Sequence, residues 1–328
     1  MIRKYQGCLV GLAIGDALGA PAEFLSLEEI KKRYGKDGIT DFHAWHGFKP
    51  GSYTDDTQMS LATAAGCIRA YQRWREKGIG HPASVVYQCY LDWFESQNDP
   101  EEIRGPGRTC LSALQSGKMG TIEEKINDSK GCGGVMRTAP VGLAFPSCRA
   151  FQEGAEYAAI THGHPSGYLT AGFLSAMISY LIEGKTLTEA IDLSIGQLIR
   201  YDGYSETLKK IKQAQKLSVS QKSVEESIQT IGEGWVGEEA LAISLYCSLK
   251  FSDNFKRGTL AAVNHSGDSD STGSITGGIL GTFLGVESIP ELWVQKVEGS
   301  DRIKKIADDM FSIFQSGKEL FLEEYPPF

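Results

Sequence analysis

Five glycines, Gly273, Gly277, Gly278, Gly281 and Gly285, recur at spacings of 4, 1, 3 and 4 through an apolar stretch that otherwise reads as a helix. A glycine inside a helix costs about 1 kcal/mol relative to alanine. Close packing against another backbone is the compensation a chain can find for several such residues in one helix, because a side chain would hold the two backbones apart. The segment therefore predicts a helix pressed against a second element. Helical periodicity continues elsewhere. Leu174, Met177, Ile178 and Leu181 trace one face, as do Ala240, Leu241, Ser244, Leu245 and Ser248, and Ile303, Ile306, Met310 and Ile313 repeat the pattern near the C-terminus. Alternating β-branched runs bounded by turn residues are absent, and no succession of strands and helices suggests a parallel sheet. The expected fold class is all-α, with the 38 glycines spread as punctuation between many short helices.

No Pro/Ser-rich linker and no internal repeat divides the 328 residues, so one domain over residues 1–328 is expected. The stretch from Tyr201 to Thr230, rich in Lys, Glu, Gln and Ser, reads as amphipathic surface helices. With 41 acidic residues against 33 basic ones, the net charge of −8 argues against a nucleic-acid partner, whose phosphates demand a basic face. The longest stretch free of Asp, Glu, Lys and Arg, Thr161 to Ile182, contains His162, His164, Pro165 and three serines, a poor membrane span. The N-terminus lacks the ordered regions of a secretory signal. Seven cysteines, an odd number without a C-x-x-C pair, fit reduced thiols packed as small core residues in a cytoplasmic protein.

Two clusters concentrate chemistry. Gly51 to Met59 contains Thr54, Asp55, Asp56 and Thr57 just before an alanine-rich helical stretch. One Asp or Thr would suffice as a helix cap, whereas two adjacent carboxylates repel unless a cation neutralises them. Asn264 to Gly273 again sets acidic and hydroxyl side chains, Asp268, Asp270 and Ser271 among them, before the glycine-rich helix. The twelfth position counted from Asp268 is Ile279, not an acid, which argues against an EF-hand loop. Oxygen-only ligands point to magnesium or manganese and not to zinc. A third segment, Gly7 to Phe24, is an apolar Gly/Ala helix running into a loop that presents Glu23. Gly131-Cys132-Gly133-Gly134 has little side chain, so its N–H groups could approach a phosphate or ribose where a helix begins. Arg137 reads equally as a structural ion pair or a ligand contact. His43, His46, His81 and His265 have no ligand-like spacing and read as polar or capping residues, and Trp45 and Phe48 are candidates for a cleft mouth.

Taken in order, G-L-A-I-G-D-A-L-G at 11–19, Glu23, Y-T-D-D-T at 53–57, G-G-V-M-R-T-A-P at 133–140, T-H at 161–162, G-W-V-G-E-E-A-L at 234–241 and G-D-S-D-S-T-G-S-I-T-G-G at 267–278 resemble the ADP-ribosyl-glycohydrolase family over nearly the whole chain. The resemblance implies a compact single-domain orthogonal helical bundle with two Mg2+ or Mn2+ ions in a cleft. It assigns Thr54, Asp55, Asp56, Asp268, Asp270 and Ser271 as metal ligands, with Ser271 standing where members often have threonine. Glu23, Asp55, Asp56 and Asp270 become the catalytic set. Glu23, Gly131, Gly133, Gly134, His162 and Trp235 become substrate-binding, with Trp235 on the adenosine side or, as a bulky aromatic, in the core. The implied reaction removes ADP-ribose from an ADP-ribosylated protein, releasing ADP-ribose as product from a monomeric enzyme, with arginine as the leading linkage. Arginine-specific members commonly carry an acidic residue in the loop before a G-x-T turn. Here the loop reads Ile103-Arg104-Gly105-Pro106-Gly107-Arg108-Thr109, with acids only at Glu101 and Glu102, which keeps serine-linked and other O-linked ADP-ribose open. A non-catalytic binding member, or one that blocks an ADP-ribosyltransferase, is the reading from another class.

Overall fold

The computed structural model describes residues 1–78, 80–317 and 325. Its organising pair is the N-terminal helix, Ile2–Gly19, laid antiparallel against the glycine-rich helix, Ser269–Leu284. Gly7 faces Gly281, Gly11 faces Gly277, Gly15 faces Gly273, and Gly19 faces Ser269. A methyl group added at any of these glycines would overlap the opposing carbonyl. Three of the five glycines read from the sequence thus serve close backbone contact. The other two do not. Gly278 meets the Leu12 and Ala139 side chains and the Cys8 carbonyl at ordinary contact distance, and Gly285 lies beyond the helix with φ +86, its N–H bonded to the Gly281 carbonyl.

Around this pair pack Asp55–Lys77, Gly237–Lys250 and Ser300–Phe314. The uncharged stretch becomes the helix Pro165–Ile182, in which Leu169, Leu174, Met177 and Ile178 are fully buried. Its lack of charge reflects enclosure by protein: among the described residues no helix is long and apolar enough to cross a membrane. The polar stretch after Tyr201 forms the helices Ser205–Ser218 and Val224–Ile231, the second opened by a capping box between Ser223 and Glu226. The described residues are all-helical apart from turns and two isolated bridges, Trp45 with Phe48 and Gly131 with Val236. Cys8, Cys67, Cys89, Cys110 and Cys247 are buried as expected, but Cys148 is exposed in the first turn of the helix Ser147–Ala159, and Cys132 is half-buried beside the candidate site.

Candidate functional site

The glycine contact decides where the chemistry meets. Gly19 against Ser269 brings the turn after the N-terminal helix alongside the start of the glycine-rich helix, and hence Glu23 toward Asp268 and Asp270. Three residues before that turn, the fully buried Asp16 reaches a different helix. It accepts from the Thr54 N–H at 2.9 Å, the Thr57 N–H at 3.0 Å and the Thr57 hydroxyl. A carboxylate from one helix thereby caps the N-terminus of Asp55–Lys77, where free N–H groups and the helix dipole favour negative charge. Thr54 adds the local cap, its hydroxyl accepting from the Asp56 N–H at 3.2 Å. At the second helix start, Asp268 accepts from the Ser271 N–H, while its own N–H bonds the Glu233 carbonyl at 2.9 Å.

These elements enclose a cavity of about 460 Å³. One side carries Glu23, Asp55, Asp56, Asp268, Asp270 and Ser271; Gly131, Gly133, His162 and Trp235 line the rest with the loop from Gly105 to Thr109. Two residues expected at the site stand behind this surface. Thr54 is buried in its cap. Gly134 is a correction: it packs against the Gly167 carbonyl, so helix packing and not ligand approach accounts for its missing side chain.

Burial raises every carboxyl of the cluster, and mutual repulsion adds to it for all but Asp270. Asp16 is pushed up to about 7 by burial and then by the charge of Asp270. Glu23 rises to about 11, through burial first and then Asp270, Asp268, Asp55 and Asp16. Asp55, Asp56 and Asp268 lie well above the carboxylate range for the same reasons, and burial raises Asp270. Asp56 Oδ2 is buried with no hydrogen-bond partner. No three His, Cys, Asp or Glu side chains among the described residues stand together in a group that would hold a metal ion by themselves. With the hydroxyls of Thr54 and Ser271 counted, the donor set is all oxygen, and its unpartnered carboxylate oxygen suits a hard divalent cation.

His162 is buried and neutral, its pKa lowered to about 3 by burial and the nearby Arg137 charge. Arg137 can only donate. The Thr161 hydroxyl accepts from it at 2.6 Å and also hydrogen-bonds His162 Nδ1 at 2.8 Å, which fixes the ring with Nε2 beside Gly131 and Gly133. Arg137 therefore makes neither the ion pair nor the ligand contact read from sequence. It lies under Tyr90, its ring centroid 4.3 Å away, and also donates to the Tyr157 carbonyl.

Other expectations are corrected by their neighbours. The Gly131 and Cys132 N–H groups are already used, donating to Ser129 Oγ and to the Trp235 carbonyl, so half of that turn's expected donors are unavailable to a ligand. Trp235 is not a core residue; it is half-buried at the cavity and stacks on the exposed Phe24, ring centroids 5.1 Å apart. Trp45 and Phe48 pack on each other away from the cavity, with Trp45 Nε1 bonded to the Ser52 carbonyl. His265 is a buried structural residue, bonded to the Ser266 carbonyl and to Thr272 Oγ1. Asp16, Phe24, Arg108 and Cys132, whose Sγ lies 2.7 Å from Asp268 Oδ2, were not singled out. For Asp16 a signal existed: an acid near the C-terminal end of an apolar helix opposes the dipole and requires buried partners.

A family model described as ADP-ribosylglycohydrolase matches residues 1–319. The ADP-ribosyl-[dinitrogen reductase] glycohydrolase of Rhodospirillum rubrum is 29% identical over 298 residues, covering 89% of each chain. The ADP-ribosylhydrolase ARH3 of Mus musculus is 25% identical over 360 aligned positions, 96% of this chain and 92% of its own. A solved structure described as an ADP-ribosylglycohydrolase-related protein complex superposes with a TM-score of 0.70 over 96% of this chain and 99% of that one, at 21% identity, and shares its fold.

Proposed function

This chain belongs to the ADP-ribosylglycohydrolase family, and on that premise we propose that it hydrolyses the bond between ADP-ribose and a protein side chain, with two Mg2+ or Mn2+ ions held by Thr54, Asp55, Asp56, Asp268, Asp270 and Ser271. The observation that carries this reading is the convergence of two capped carboxylate turns and Glu23 on one cavity. When bound, the ions would supply Lewis acidity, binding ribose hydroxyls and lowering the pKa of a bound water. The chain's own groups do the rest. The neutral His162 presents Nε2 for a hydrogen bond to the ligand, and the cluster's carboxylates stabilise positive charge that develops at the anomeric carbon as the glycosidic bond breaks. Water adds to that carbon, and its proton reaches the departing side-chain atom with Glu23 in position to carry it. The stacked rings of Phe24 and Trp235 form part of the cavity wall beside Glu23.

Asp56→Ala or Asp270→Ala is expected to lose metal and turnover together. Glu23→Ala should retain most metal and lose about 100-fold or more in turnover, the scale of a lost proton-transfer group. Magnesium titration calorimetry run beside ADP-ribose release distinguishes the roles; equal metal loss in all three variants would remove Glu23 from proton transfer.

For the linkage, the loop before the G-x-T turn decides between readings. Glu102 accepts from Gln58 Nε2 at 2.9 Å and faces a neighbouring cavity of about 570 Å³, and Glu101 is exposed. A departing guanidinium would find no acidic partner from this loop, which supports an O-linked bond such as that to serine. Arginine is the second reading, favoured by the motif resemblance. Side-by-side release from serine-linked and arginine-linked proteins should favour serine by at least about tenfold, and the reverse preference sinks the O-linked reading.

A further inference from the structure

The cavity carries five carboxylates, Glu23, Asp55, Asp56, Asp268 and Asp270, and a histidine held neutral, while its lining includes a single formal cation among the described residues, Arg108. We infer that Arg108 is the diphosphate-binding residue of this cavity, gripping the anionic middle of ADP-ribose while the distal ribose points toward the carboxylate end. The inference rests on the ADP-ribose reading above and deepens it.

Three observations converge on Arg108. The first is that the other arginines nearby are committed. Arg104 forms a two-pronged pair with Glu298 at 2.7 and 2.8 Å, and Arg137 is sealed in the core, whereas the exposed Arg108 makes no ion pair with any described residue. The second is its anchorage. The Asp55 N–H donates to the Arg104 carbonyl at 3.1 Å, the Gly107 N–H donates to Asp55 Oδ2 at 3.4 Å, and Pro106 stiffens the loop between them. Arg108, next in sequence, opens the helix Arg108–Gln115 from a fixed position one residue from the carboxylate cluster. An anion on Arg108 and a polyol at the cluster can therefore belong to one ligand.

The third observation is a shortage of other donors. Of the Gly131 to Gly134 turn, two N–H groups already serve Ser129 and the Trp235 carbonyl. A diphosphate in a cavity lined by carboxylates needs more than the remaining pair. A guanidinium supplies it, since its planar fork matches two phosphate oxygens at once and keeps its charge at any working pH.

The test is calorimetric binding of two probes, ADP-ribose and inorganic pyrophosphate, in excess magnesium, to wild type, Arg108→Gln and Arg108→Lys. Arg108→Gln should weaken both probes by about tenfold or more, and Arg108→Lys should recover part of the loss. Added salt should weaken wild type more steeply than Arg108→Gln, a response a merely structural residue would not give. Melting temperatures within about 1 °C of wild type are expected because the side chain is exposed. Equal affinities of wild type and Arg108→Gln for both probes would overturn the inference. Pyrophosphate binding that depends on Arg108, in a protein that does not bind ADP-ribose, would uphold the anion site and overturn the ADP-ribose reading alone.

Discussion

Exhaustive chelation is expected to abolish turnover and to lower the melting temperature by about 5 °C or more. A ligand present at about 100 times its dissociation constant stabilises by about 2.7 kcal/mol, and a chain of this size shifts by roughly 2 °C per kcal/mol. The pH dependence has a definite sign. The Asp16 carboxyl stands at about 7 in the folded protein, pushed there by burial and by Asp270, against about 3.9 in an unfolded chain. The metal-free folded state thus holds its proton more tightly than the unfolded state does. The stability this contributes is fully present below about pH 4 and is lost as pH rises through about 7. Asp55, Asp56 and Asp268 shift in the same direction. A cation that replaces those protons stabilises more as pH rises, so the melting-temperature gap between magnesium-loaded and chelated protein should widen from about pH 6 to about pH 8. Full turnover by protein shown metal-free by elemental analysis, or a gap that narrows with pH, would refute the metal assignment.

The second large effect lies in the core of the fold. Gly277→Val should destabilise by about 3 kcal/mol or more and eliminate activity, although it changes no residue of the cavity. A side chain at 277 would meet the Gly11 carbonyl, and backbone cannot swing aside as the tip of a flexible side chain can. Against a total stability of roughly 5–15 kcal/mol, that is a large fraction. Gly278→Ala, one residue along the same helix, is the control. Its new methyl would stand 3.6 Å from Leu12 Cβ, ordinary contact, and alanine gains about 1 kcal/mol of helix propensity over glycine. Urea unfolding of the two variants should move in opposite directions or, for Gly278→Ala, hardly at all. A Gly277→Val protein as stable as wild type would mean that the helices can separate freely.

What was legible in the sequence follows from the range of the forces involved. The helical class rests on periodicities within a few turns, and the Thr54–Asp56 and Asp268–Ser271 turns on neighbours that cap their own helices. Those signals are local. The capping of Thr54 and Thr57 by Asp16 crosses about 40 residues, and Phe24 meets Trp235 across more than 200, so neither pairing leaves a mark in either segment alone. Glycine at 134 looked like the adjacent glycines because absence of a side chain is the same signal whether the neighbour is a ligand or, as here, the Gly167 carbonyl. Arg137 was ambiguous because its partners are a hydroxyl, a carbonyl, sulfur atoms and a ring, none of which carries an opposite charge to match against.

The pairing of the two glycine-bearing helices also sets a timetable. Gly11 and Gly277 are about 270 residues apart, and at roughly 5–20 residues per second a ribosome needs on the order of 15–50 s to deliver the second after the first. Throughout that interval the apolar N-terminal helix has no partner for its glycine face, and Glu23 and Asp16 stand without Asp268 and Asp270. On the proposed reading the site therefore stays incomplete in the nascent chain until nearly all of it has emerged, and a chain that stops before Asp268 carries three of the six proposed ligands, Thr54, Asp55 and Asp56, and only one helix of the glycine pair.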